Sequence, residues 1–179
     1  MSNNPIEITV EDVFEAAIKL AADYPGYQYS KAGSDPNTAC YYTAGGCDKY
    51  PALVGCIVGQ AIVAAVADSD RETVLAWLRQ QDGRLPIGVY RLLYNATPRR
   101  PECPVTFVAR RQPDGKHASH KVREAVAGLA VMQRAQDVGR VWKVAADEAA
   151  NYNDEDCNTS FANLAYAIVD NSDSNEQTQ

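Results

Sequence analysis

Apolar residues recur at helical spacing through most of the chain, and the pattern predicts a mainly α fold. Val10, Val13, Phe14, Ala17, Ile18 and Ala21 share one face of a first helix. Thr9 stands as its N-cap, Glu11 and Asp12 suit the positive end, and Pro25-Gly26 stops it. Residues 40–43, Cys-Tyr-Tyr-Thr, read as a short strand, and Gly45-Gly46 as a tight reversal. From about Gly55 to Ala67 the chain is apolar on all sides except at Gln60, which predicts a helix in the middle of the domain. Gly59 is costly inside a helix unless another backbone comes close, so a neighbour is expected against it.

Ser69 to Glu72 has the spacing of a capping box, and the helix it opens buries Val74, Leu75, Trp77 and Leu78 before Asp82-Gly83. Pro86 suits the start of a short helix through Tyr94, with Ile87, Tyr90, Leu93 and Tyr94 on one side. The proline-rich stretch 97–117 reads as an insertion in which Val105–Val108 alone resembles a strand and Pro113-Asp114-Gly115 marks a turn. Ser119 opens a long helix with a stripe of Val122, Ala125, Val126, Leu129 and Met132, ending by Gly139. A helix over 141–150 buries Trp142, Val144 and Ala145. A last one follows Asn158 or Thr159, with Phe161, Leu164, Ala165, Ile168 and Val169 inside. The expected fold class is α+β, a mainly helical single domain over 1–169 around the central apolar helix with a few short strands. Residues 170–179 carry no apolar side chain and are expected to form a disordered tail.

Composition narrows the function. The chain of 179 residues carries a net charge of −6, which argues against general nucleic-acid binding and leaves no sequence-specific nucleic acid among the expected partners. The charge is uneven. Between 97 and 123 seven cations face two acids, so that segment is basic within an acidic chain. The longest apolar run, Leu53–Ala67, is too short to cross a bilayer, and MSNNPIE has no export signal, so a cytoplasmic setting without a membrane partner is expected. Five cysteines read as free thiols in a reducing compartment.

The candidate chemistry is sparse. Cys56 at a helix start is a possible thiolate nucleophile, with His117 or His120 as base, but no cysteine-hydrolase motif surrounds them. Cys40, Cys47 and Cys56 lack zinc-knuckle spacing, and residues 153–156, Asn-Asp-Glu-Asp, lack the rest of a calcium loop. Neither a metal nor a cofactor is therefore expected, and no Walker or Rossmann glycine loop is present. Gln133 and Gln136 share the buried stripe of the long helix, so each amide needs a partner: Gln60, a loop backbone, or a ligand's polar edge. Tyrosines such as Tyr41 and Tyr42 beside Arg99, Arg100, Arg110 and Arg111 could sandwich a base and fork onto phosphate.

Two pieces together, Cys40-x-Tyr42 followed by 55–62 (Gly-Cys-Ile-Val-Gly-Gln-Ala-Ile), and Gln133-x-x-Gln136-Asp137-x-Gly139-x-x-Trp142-x-x-Ala145, resemble a group of small proteins of actinobacteria and their phages. The likeness covers roughly 10–67 and 129–145, with the loop 46–53 and the segment 97–117 as departures. It implies a phage or prophage origin in a bacterial cytoplasm and supplies no activity. Accessory phage proteins of this size often blunt host defences, some by sequestering nucleotide signals. The expected function is a non-enzymatic protein holding a small anionic, nucleotide-type ligand through Tyr41, Tyr42, Gln60, Arg99, Arg100, Arg110, Arg111, Gln133 and Gln136. The alternatives are a module that docks a host protein, and a hydrolase using Cys56. A homo-oligomer is compatible with either binding role.

Overall fold

The computed structural model describes residues 5–30, 41–82, 88–96, 103–152 and 159–174, with 159–161, 171, 173 and 174 described by backbone alone. The order is β1 (Ile6–Thr9), α1 (Val10–Asp23), α2 (Ile57–Ala64), α3 (Arg71–Gln81), α4 (Val89–Asn95), β2 (Val105–Val108), α5 (Ser119–Asp137), α6 (Trp142–Ala150) and α7 (Thr159–Ser174). This is an α+β fold, mainly helical, in one domain.

The anticipated central helix is α2. Ile57, Val58, Gly59, Ala61 and Ile62 are buried between α1 and α5, with α3 alongside. Gly59 meets the neighbour its position demands. A Cβ there would lie 2.1 Å from the Tyr42 carbonyl oxygen, and one on Gly55 would lie equally close to the same oxygen. The turn carrying Tyr42 thus rests directly on the backbone at the start of α2, which only glycine permits. At 19 residues α5 is the longest helix among the described residues, and it packs on α1, α2, α4, α6 and α7. Its Gly128 is a second close approach, here to the ring of Phe14 on α1.

Several expectations change in the structure. Residues 42–44 form bends and no strand runs through 41–43, while isolated bridges join Ser30 to Gly46 and Gly46 to Val54. A short run of apolar and β-branched residues there is spent on core contacts instead of a ladder. Val105–Val108 is a strand, but it is no peripheral insertion. It pairs in parallel with β1, an element the sequence pattern hid inside the approach to α1, and Val105, Thr106 and Phe107 are buried. The capping box at Ser69 does not form: α3 starts at Arg71 with Asp70 as N-cap and no side-chain cap bond. On α4, Val89, Leu92 and Leu93 are buried while Tyr94 is 47% exposed, so the apolar side is rotated from the one expected. Val144 is exposed too, and α7 runs on to Ser174 into the stretch expected as tail.

Next to α2, aromatic rings tie the end of α1 to α6. Tyr27 stacks on Trp142 with centroids 3.9 Å apart, and Tyr50 lies beyond Tyr27 at 6.1 Å. The Tyr27 hydroxyl reaches the carbonyls of Leu53 and Gly55, each at 3.3 Å. Burial, with the nearby Cys47 and Cys56 thiols, pushes this phenol from 10 up to about 12. A folded-state value above the unfolded one means the contribution is full below pH 10 and is lost as pH rises through 12. Alkaline unfolding is therefore expected between those values, with one tyrosine ionising only as the fold is lost. Absorbance at 295 nm followed alongside circular dichroism checks this, and Tyr27→Phe should remove the coupling.

Candidate functional site

Each residue singled out for chemistry can be followed to its place. Gln133 and Gln136, three positions apart on α5, both point into the core and both cap other helices. Gln133 Oε1 accepts the Val89 N–H at 2.6 Å, at the first residue of α4. Gln136 Oε1 accepts the Ile57 N–H at 2.7 Å, at the first residue of α2, and the Trp142 indole N–H at 3.0 Å. Helix starts leave N–H groups without intrahelical acceptors, and buried ones need a partner. These oxygens therefore belong to the fold.

Cys56 is the N-cap of α2, fully buried, and its Sγ accepts the Gly59 N–H at 3.4 Å. No substrate reaches a thiol so placed, and neither histidine is drawn to it: His117 Nδ1 lies 3.2 Å from the Arg110 carbonyl, and His120 is on the exposed start of α5. Gln60 turns back to the Val54 carbonyl. The ring of Tyr42 is buried, and Tyr41 is half-buried with its N–H on the Tyr29 hydroxyl at 3.1 Å. From the other side, Asp82 at the end of α3 accepts the N–H groups of Tyr42 and Thr43 and the Thr43 hydroxyl. Asp82 was readable in the sequence only as a helix stop.

Arg110 and Arg111 lie elsewhere. Arg110 sits at the opposite end of α1 from the tyrosine turn. Its guanidinium is forked between Asp12 and Glu15, the latter at 2.8 Å, and its N–H donates to both carboxylate oxygens of the buried Glu11. Tyr29, whose hydroxyl holds the tyrosine turn, follows the other end of that 14-residue helix, about 20 Å away at 1.5 Å per residue. Arg110 and the Tyr41–Tyr42 turn are thus not brought together, and Arg99 and Arg100 lie outside the described residues, as do Cys40 and 153–156. The hydrogen bond and charge of Arg110 hold the Glu15 carboxyl below its usual value, and the acids raise Arg110. A lowered carboxylate stabilises above its unfolded pKa and ceases to as pH falls through the folded one. Arg110→Met is expected to cost roughly 1 kcal/mol at neutral pH and low salt. The gap to the parent should close in acid or in 1 M salt, as urea midpoints would show.

Among the described residues, the basic segment exposes a hairpin. Arg111 and His117 form a bridge, the Gln112 N–H donates to the Lys116 carbonyl at 2.8 Å, and Gly115 turns the chain at φ +80°. Arg111 and Lys116 are on its surface, and Lys121, on the first turn of α5, bears electrostatically on Glu15. Where this hairpin runs into α5, a cleft of about 50 Å³ opens towards α7, lined by Ser119, His120, Arg123, Ala162, Ala165 and Tyr166. Ala118 at the N-cap offers no side-chain acceptor, and the Tyr166 ring is 58% exposed at the rim. A larger depression of about 380 Å³ near Gly46 is lined by Ser30, Cys47, Asp48, Pro51 and Val54 among others, and its one charged side chain is an acid. Among the described residues no cluster of histidine, cysteine or carboxylate side chains could hold a metal, and no helix is long and apolar enough to cross a membrane. Comparison with protein-family models, with curated proteins and with solved structures finds no match.

Proposed function

We propose that this chain is a non-enzymatic binding protein for a small anion, taken at the corner where the 111–117 hairpin meets the start of α5. The observation that carries this reading is the cleft lined by Ser119, His120 and Arg123 at the foot of the hairpin that exposes Arg111 and Lys116. It concentrates donors and positive charge on a chain that is acidic elsewhere. Its volume exceeds the roughly 10–15 Å³ that one water needs, which leaves room for a small oxyanion head group. The rest of a nucleotide-type ligand would then lie over Tyr166, whose ring offers a face for a base. The burial of Cys56 supports binding over catalysis. The resemblance to phage proteins supports a host nucleotide signal as the anion, held and not converted, with counter-defence as the biological role.

Isothermal titration against inorganic phosphate, mononucleotides, cyclic nucleotides and ADP-ribose tests this directly. At least one nucleotide should bind, and the double variant Lys116→Ala/His120→Ala, altered only at exposed positions, should weaken it at least tenfold. An absence of heat with the whole panel would overturn the reading. A second reading, docking of a host protein, is favoured by the stacked pair Tyr90–Tyr94 on α4, with centroids 6.3 Å apart and Tyr94 half exposed. Deleting 97–117 cannot separate the two, because it removes β2. Capture from lysate that Tyr94→Asp abolishes and Lys116→Glu leaves intact would favour the second.

A further inference from the structure

The contact between Asp82 and the Tyr42–Thr43 turn has the form of a receptor holding a ligand. Two consecutive backbone N–H groups converge on one carboxylate oxygen, from Tyr42 at 2.5 Å and Thr43 at 3.2 Å, and the Thr43 hydroxyl donates to the other. Consecutive N–H groups pointing at one spot bind anions whether or not the anion is tethered. A hydroxyl on the second oxygen makes the arrangement two-pronged, suited to a planar carboxylate. The turn is held in place by groups other than Asp82. Its Tyr42 backbone lies on Gly55 and Gly59, the Tyr41 carbonyl accepts the Cys56 N–H at 3.0 Å, and the Tyr29 hydroxyl bonds Tyr41 and Ala44. The receptor is therefore built by the core, while its occupant comes from the end of a neighbouring helix.

We infer that the Tyr42–Thr43 turn is a carboxylate-binding site which the chain fills with its own Asp82, forming a latch between α3 and the turn in which a free small carboxylate can take the side chain's place once Asp82 is removed. A tethered group acts at a millimolar or higher effective concentration, so the intact protein should ignore millimolar formate or acetate. With the latch emptied, the same anions should bind. This site is separate from the cleft at α5 and does not depend on the reading of that cleft.

Thermal midpoints of the full chain, Asp82→Ala and Asp82→Ala/Thr43→Val are to be compared over 0–200 mM sodium formate, with sodium chloride at matched ionic strength. Asp82→Ala should melt lower than the parent and recover by about 4 °C or more in formate, saturably and not in chloride. The parent should respond much less than Asp82→Ala at every formate concentration, and the double variant should need several-fold more formate than Asp82→Ala. If Asp82→Ala does not fold in plain buffer, the same proposal requires that formate restore its folding. No specific recovery in formate would overturn the inference. So would an Asp82→Asn protein as stable as the parent, since the amide keeps the shape and loses the charge.

Discussion

Gly59→Ala is expected to destabilise the protein by about 3 kcal/mol or more, although alanine is the better helix former by about 1 kcal/mol. The sign is decided by distance. A methyl group on Gly59 would lie 2.1 Å from the Tyr42 carbonyl oxygen and 2.8 Å from its Cα, which are backbone atoms that no rotamer change can move aside. The Tyr42 backbone is also gripped by Asp82, and its ring is buried, so relief requires pulling the turn away from α2. Gly88→Ala is the control: nothing lies within 4 Å of the added carbon, and its effect should stay within about 1 kcal/mol. Urea midpoints of the two variants measure this, and a Gly59→Ala protein as stable as the parent would show that the turn does not rest on the helix.

Gln136→Met should cost about 2–5 kcal/mol, and Gln133→Met about half as much. Both replacements keep the length of the side chain and remove its oxygen. The first strands two buried donors, the Ile57 N–H and the Trp142 indole N–H, and the second strands one, the Val89 N–H. Each orphaned donor carries a desolvation cost of roughly 1–3 kcal/mol, so the ordering follows from the count of bonds. Trp142 gives an internal readout, since its emission should change in Gln136→Met and stay constant in Gln133→Met. A cycle combining Gln136→Met with Trp142→Phe should show that the two losses are coupled. Equal costs for the two glutamine variants would contradict the assignment.

The helices were legible because their apolar faces are regular. Val10, Val13 and Ala17 on α1, and Val122, Val126 and Leu129 on α5, are all buried as their spacing implies. The glycine at 59 was legible for a different reason: its presence in an apolar helix had to be offset by a close approach, and the approach is there. β1 was not legible, because four residues joined directly to a helix carry too short an alternation to stand out. The candidate site divides along the same line. The need of Gln133 and Gln136 for partners followed from their buried stripe, but which N–H groups they meet depends on where α2 and α4 begin in space. Arg110 misled, since charge along a sequence says nothing about the acids a fold supplies. Arg110 lies 99 positions from the buried Glu11 that takes its N–H, and the neighbouring Asp12 takes its guanidinium. The α5 cleft left one faint signal, the density of His117, Ser119, His120, Lys121 and Arg123 where a basic loop enters a helix.

The parallel pairing of Ile6–Thr9 with Val105–Val108 also constrains the order in which this chain can assemble on the ribosome. The first strand emerges early but cannot find its mate until translation has passed residue 108 and enough further chain has left the exit tunnel. Long-range closure of this kind slows folding and leaves the nascent edge open to wrong partners meanwhile. Emergence of the 105–108 segment, not growth of the first half, should therefore be the step that lets the native topology lock.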